Sequence, residues 1–126
     1  MARYYHVDIA AHAADADRKW VDNLLSHFDV PGVDADKQGV ARRISASGVH
    51  HIALIRQLTR DLAISTDRAI TVAHALLRTD ANHVDLSQVL TLHIDRTRFR
   101  TDVDHRLADA VESIVPARRG RPPSRA

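Results

Sequence analysis

The chain has 126 residues, 44% of them apolar but only 4% aromatic, and no cysteine. That length suits one domain with a modest aliphatic core, and the lack of cysteine excludes disulfides, thiolate metal sites and a cysteine nucleophile. The net charge of +2 conceals an asymmetry: 14 Lys and Arg stand against 16 Asp and Glu up to residue 115, and the closing stretch PARRGRPPSRA adds four arginines and no acid. No apolar run reaches the length of a membrane span, and the opening MARYYHVDIA lacks the charged-then-apolar layout of a secretory signal. The expected location is cytoplasmic.

Taken in order, the segment from His6 to about Ala14 reads as a short helix with Val7, Ile9, Ala10 and Ala13 inward. Asp15 and Asp17 are N-cap residue types placed before DRKWVDNLLSHF. In that second helix Trp20, Val21, Leu24, Leu25 and Phe28 form a stripe at helical spacing, leaving Arg18, Lys19, Asp22 and Asn23 on the other side. Two short helices across a tight connection predict a helix-turn-helix. Pro31-Gly32 stops the second helix, and Gly39 permits a turn between extended pieces around 32–35 and 40–44, a small hairpin carrying Lys37, Arg42 and Arg43.

A third helix begins after Ser45 or Ser47, with His51, Leu54, Ile55, Leu58 and Leu62 as its inner stripe. Ser65 caps a fourth whose inner face is Ala69, Ile70, Ala73, Leu76 and Leu77. After a polar link, TDANHVD, the alternation of Leu90, Leu92 and Ile94 with Thr91 and His93 predicts a strand. It has no sequence-local partner, so pairing is expected across a two-fold axis, with the hairpin, or with the N-terminal Tyr4–Val7 segment. A last helix, roughly 97–115, presents Phe99, Val103, Leu107, Ala110, Val111 and Ile114 on one face and ends at Pro116.

The stretch RRISASGVHHIALIRQLTRDLAISTDRAITVAHALL resembles the DNA-binding domain of the MerR family of bacterial regulators, a winged helix-turn-helix. Arg42-Arg43, Ser45–Ser47, Leu54-Ile55, Leu58, Leu62, Ile64 and Ser65 stand at matching places, and Pro31-Gly32 matches the bend after the second helix. The resemblance spans about residues 6–78. It implies a mainly α fold of four helices plus a small β-hairpin wing, here followed by a C-terminal strand and helix. The cysteine ligands of the family's metal-sensing branch are absent, so DNA binding is implied and metal sensing is not. The expected organisation is a DNA-binding domain over 1–80, a strand–helix segment for dimerisation or partner binding over 81–115, and a disordered basic tail over 116–126.

On this reading the DNA-binding residues are Arg18, Lys19 and Asn23 on the second helix and Lys37, Arg42 and Arg43 on the wing. An Asn amide can pair bidentately with adenine in the major groove, whereas the cations hold phosphates. The tail, RRGRPPSR, closely matches an AT-hook, with Arg119, Gly120, Arg121 and Pro122 as core and Arg118 and Arg125 as flanks. Glycine lets the backbone reach the floor of a minor groove, proline keeps the chain extended, and arginines enter the negative potential of a narrow A·T groove. His50-His51 is the tightest histidine cluster, but no HxxxH pair occurs, so no metal site and no cofactor are expected. No phosphate loop or nucleophile elbow points to an enzyme. The expected function is a DNA-binding transcriptional regulator, a repressor associated with the nucleoid and dimeric through residues 84–115. The alternatives are the antitoxin of a toxin–antitoxin pair, with the C-terminal segment on the toxin, and an architectural nucleoid protein.

Overall fold

The computed structural model describes residues 3–34 and 42–114. The fold is mainly helical, with two small antiparallel sheets. In chain order the elements are β1 (Tyr4–Tyr5), α1 (Val7–Ala13), α2 (Arg18–His27), β2 (Val33–Asp34), β3 (Arg43–Ser45), α3 (Ala46–Leu62), α4 (Thr66–Leu77), β4 (His83–Asp85), β5 (Thr91–His93) and α5 (Arg96–Ser113).

Helix α1 buries Val7, Ile9, Ala10, Ala11 and Ala13. So many small apolar side chains around one short helix suit a central position, and α1 lies against α2, α3 and α5. Its end is closed by Ala14 N–H donating to the Ala10 carbonyl. Asp15 then adopts a left-handed φ of 55°, a conformation short polar side chains tolerate, and the chain reverses directly into α2. There Val21, Leu24 and Leu25 are buried, with Trp20 and Phe28 packed partly against the core.

The first sheet has the order β1–β3–β2, with Tyr4 opposite Ser45, Tyr5 opposite Ile44, Val33 opposite Ile44 and Asp34 opposite Arg43. Alternation across the central strand sends Ile44 fully into the core and leaves Tyr4, Asp34 and Arg43 on the solvent side. The sheet is seated on α3 by a close backbone approach. Gly32, at φ 85°, presents its carbonyl to the Ser45 hydroxyl at 2.8 Å, and the same hydroxyl caps α3 by accepting from Gly48 N–H at 3.1 Å. A Cβ at Gly48 would lie 2.6 Å from the Gly32 carbonyl oxygen, and one at Gly32 would lie 2.4 Å from Gly48 N. Neither position has room for a methyl group.

Helices α3 and α4 lie against each other, and they bury Ile52, Leu54, Ile55 and Leu58 of the first and Ala69, Val72, Ala73 and Leu76 of the second. Each Leu, Ile or Val among them contributes roughly 1.5–3 kcal/mol of transfer free energy when fully buried. Leu62, expected on the same stripe, is 50% exposed. It occupies the last turn, and beyond the left-handed reversal at Ala63 (φ 54°) it is Ile64 that packs toward the core.

The expectation of an isolated strand is corrected. The segment taken as a polar link contains β4, which pairs with β5 in the same chain through His83–His93, Val84–Leu92 and Asp85–Thr91. The Tyr4–Tyr5 segment pairs with β3 and not with β5. Helix α5 is capped by Asp95, whose carboxylate accepts from Arg98 N–H at 3.0 Å, and it buries Val103, Leu107 and Ala110 in the shared core. His12–Asp109 and His50–Asp104, each at 2.9 Å, and Arg106 Nε donating to the Ala13 carbonyl at 2.9 Å fasten α5 across α1 and α3. On the solvent side of α5, Asp102 lies 3.9 Å from Arg98. Among the described residues, no helix is long and apolar enough to cross a membrane.

Candidate nucleic-acid interface

The stripe that buries Val21, Leu24 and Leu25 fixes which residues of α2 face solvent. Lys19, Asn23 and Ser26 lie along one exposed line at spacings of four and three residues. Arg18 and Asp22 flank it on one side and His27 on the other, with His27 Nδ1 donating to the Asn23 carbonyl at 2.9 Å. Asn23 also borders a notch of about 150 Å³ with Trp20, Leu24, His27, Phe28 and Thr66.

The two arginines nearest this line are held by acids. Arg18 reaches Asp8 at 3.0 Å and Asp22 at 3.5 Å. Arg42 donates to Asp22 at 3.1 Å and to the Ser26 hydroxyl at 2.9 Å. Asp22 therefore stands between two guanidiniums, and Arg42 ties the sheet to the exposed face of α2. Exposed ion pairs of this kind contribute about 0–1 kcal/mol each; their effect is on geometry and local charge. Lys19, Asn23 and Arg43 remain exposed and form no ion pair among the described residues.

Arg43 lies on the outer sheet face with its guanidinium 5.8 Å from the Tyr4 ring centroid, and Arg3 sits 5.2 Å from the Tyr5 ring. A guanidinium at such a distance is steadied by the ring quadrupole while its N–H groups stay available to solvent. Tyr4 is 49% exposed, so β1 extends the Arg43 surface into a ledge of aromatic and cationic groups. Sequence reasoning missed Arg3 and Tyr4 because a two-residue strand has no readable period. The adjacency of an arginine to two tyrosines was the available signal. Lys37 and the tail residues Arg118, Arg119, Gly120, Arg121, Pro122 and Arg125 lie outside the described residues.

Behind this face the histidines are organised differently from their sequence grouping. His50 turns to Asp104, while His51 is buried, donating from Nδ1 to the Ser47 carbonyl at 2.8 Å and meeting His74 Nδ1 through Nε2 at 3.1 Å. The carbonyl bond fixes the proton of His51 on Nδ1, leaving Nε2 to accept from His74. Burial holds the His51 imidazole below its ordinary pKa; the Ser47 carbonyl acts in the opposite sense, and His74 and His50 add to the lowering. No group of three or more metal-ligating side chains occurs among the described residues.

The chain matches no protein-family model, no curated protein and no solved structure. The reading of the face rests on its own geometry.

Proposed function

We propose that this chain is a DNA-binding transcriptional regulator, a repressor that occupies duplex DNA with a MerR-like winged helix-turn-helix. In this reading α2 enters the major groove with Lys19 on phosphate and Asn23 toward a base edge. The β2–β3 flap is the wing, its Arg43 on the neighbouring backbone with Tyr4 behind it, and the arginine-rich tail follows the minor groove. The observation that carries the reading is the Arg42 bridge. By bonding Asp22 and Ser26 it locks the flap beside the exposed line of α2, so that helix and flap address a duplex together. The Asp22 and Asp8 carboxylates neutralise Arg18 and Arg42, which leaves the grip to Lys19, Arg43 and the tail.

A selection from randomised duplexes, run at two salt concentrations on the full chain and on residues 1–115, tests this directly. A sequence motif that persists, more weakly, without the tail is expected. Arg43→Ala should weaken binding uniformly across sequences and lower the salt slope by about 1, while Asn23→Ala should relax one position by roughly 1–3 kcal/mol. A folded protein without affinity for any duplex at low salt would end the proposal.

A second reading, an antitoxin whose C-terminal segment holds a partner protein, draws on one observation. Val89 and Leu90, at the turn of the β4–β5 hairpin, are 87% and 59% exposed. A stoichiometric partner lost on Val89→Ser/Leu90→Ser would favour it over a homodimer formed through residues 84–115.

A further inference from the structure

The β4–β5 hairpin carries two histidines in a relation no sequence spacing reveals. Ladder bonds run from Ile94 N–H to the Asn82 carbonyl and from Leu86 N–H to the Leu90 carbonyl, both 2.8 Å. Because bonded and non-bonded pairs alternate along an antiparallel ladder, the His83–His93 pair falls at a non-hydrogen-bonded position. There the Cα atoms approach to about 4.5 Å and the side chains of the two strands are closest. Val84 and Leu92 alternate to the inner face and pack against the core, so both histidines project to the outer, exposed face.

The imidazole rings of His83 and His93 have centroids 5.4 Å apart at an interplanar angle of 30°. Two imidazoles bound at about 2.0–2.1 Å to one tetrahedral cation place their ring centroids about 5 Å apart, given a nitrogen roughly 1.1 Å from each centroid. The separation already present is therefore that of a chelate, and both exposed rings can turn their nitrogens inward without moving the backbone. The other close histidine pair provides the contrast. His51 and His74 have centroids 5.3 Å apart, but they point nitrogen at nitrogen through a hydrogen bond, and His51 is tied to Ser47 on its far side. There the lone pair of one ring is already taken by the N–H of the other, and His51 is buried.

We propose that His83 and His93 form a two-imidazole chelate for a divalent d-block cation of the Zn²⁺, Ni²⁺ and Cu²⁺ class. Borderline imidazole nitrogen selects these ions over Mg²⁺ and Ca²⁺, which take oxygen. Water completes the coordination; Asp85, two residues from His83, already accepts from the Thr91 hydroxyl at 2.9 Å. The pair stands at the mouth of the hairpin, where the chain arrives from α4 and leaves toward α5, so a bound ion staples the two strands where they part. This site is independent of the DNA-binding reading.

The test is a titration of the full chain with Zn²⁺ and, separately, Cu²⁺, following the side-chain resonances of all nine histidines by NMR and amide exchange across residues 83–93. The His83 and His93 rings should respond first and together, and exchange in the hairpin should slow. His83→Asn and His93→Asn should each weaken binding by more than the roughly 10-fold that loss of an outer-shell partner costs, and His74→Asn should leave it unchanged. The hairpin amide spectrum shows whether each variant keeps the strand pairing, and Thr91→Val, which frees Asp85 and removes neither imidazole, should not weaken binding. Affinity unchanged in both single variants with the pairing intact overturns the proposal, as does a first response at any other histidine.

Discussion

The α3–α4 pair and the β4–β5 hairpin lie side by side and are stabilised by opposite means. The helices place Ile52, Leu54, Ile55 and Leu76 at or near zero exposure, so their position is set by aliphatic packing. In the hairpin no residue is fully buried. Its Val84, Leu86, Leu92 and Ile94 pack only partly against the core, and its short ladder and two arginines from neighbouring helices complete its hold. Arg68 donates to the Leu86 carbonyl at 2.7 Å, and Arg96 donates to the Ala81 carbonyl at 2.7 Å and also to the Leu76 carbonyl. One chain thus contains a part whose stability is global and a part that can open by itself, the pattern expected where buried apolar contacts are dense in one place and sparse in another.

The largest effect that would sharpen this contrast is Ile55→Ala. Loss of a fully buried Ile leaves a cavity between α3 and α4 and should cost about 2–5 kcal/mol, lowering the midpoint of chemical denaturation for helices and hairpin alike. Next is Gly48→Ala, which forces a Cβ against the Gly32 carbonyl. A cost of about 1–3 kcal/mol is expected, with the loss again global because Ser45 and Gly48 begin α3. Arg96→Ala should act differently. The part-buried Leu76 carbonyl loses its partner at up to about 1–3 kcal/mol while the exposed Ala81 carbonyl turns to water, and hydrogen exchange should quicken over 83–93 while α3 amides keep their protection. Equal acceleration in both regions would break the distinction between them.

The smallest effect concerns pH. The His51 pKa lies below its value in the unfolded chain, so between the two the unfolded state binds more protons. The contribution is complete above the unfolded value, about 6.5, and is lost as pH falls below it. Thermal midpoints measured from pH 7.5 down to 5.5 should therefore fall less in His51→Gln than in the parent. The ring that meets His51 is His74, and His74 and His50 both act in the same sense as burial on the His51 imidazole.

The helices were legible because their caps and stripes are local. Ser45, Ser65 and Asp95 accept from the N–H three residues on, and Val21, Leu24 and Leu25 repeat at helical spacing. Strand β4 was not, since His83-Val84-Asp85 offers one apolar residue and therefore no period, and β1 is shorter still. At the candidate interface, the exposure of Lys19 and Asn23 followed from the same stripe. The capture of Arg42 by Asp22 did not, because it requires β3 to fold back on α2 from twenty residues away. The histidine pair of the hairpin was hidden for the same reason, as register across a turn is a tertiary fact.

Asp22 also sets the charge of this face. Its carboxylate pairs with Arg42 and Arg18, and Arg18 keeps Asp8 as a second partner, so exchanging Asp22 for an uncharged side chain would leave Arg42 without an acid and raise the local charge by one. Such a surface would cling harder to any polyanion and discriminate less among them. Under the DNA-binding proposal the acid is a brake, and restraint of attraction gives a neighbouring amide its say in the choice of target.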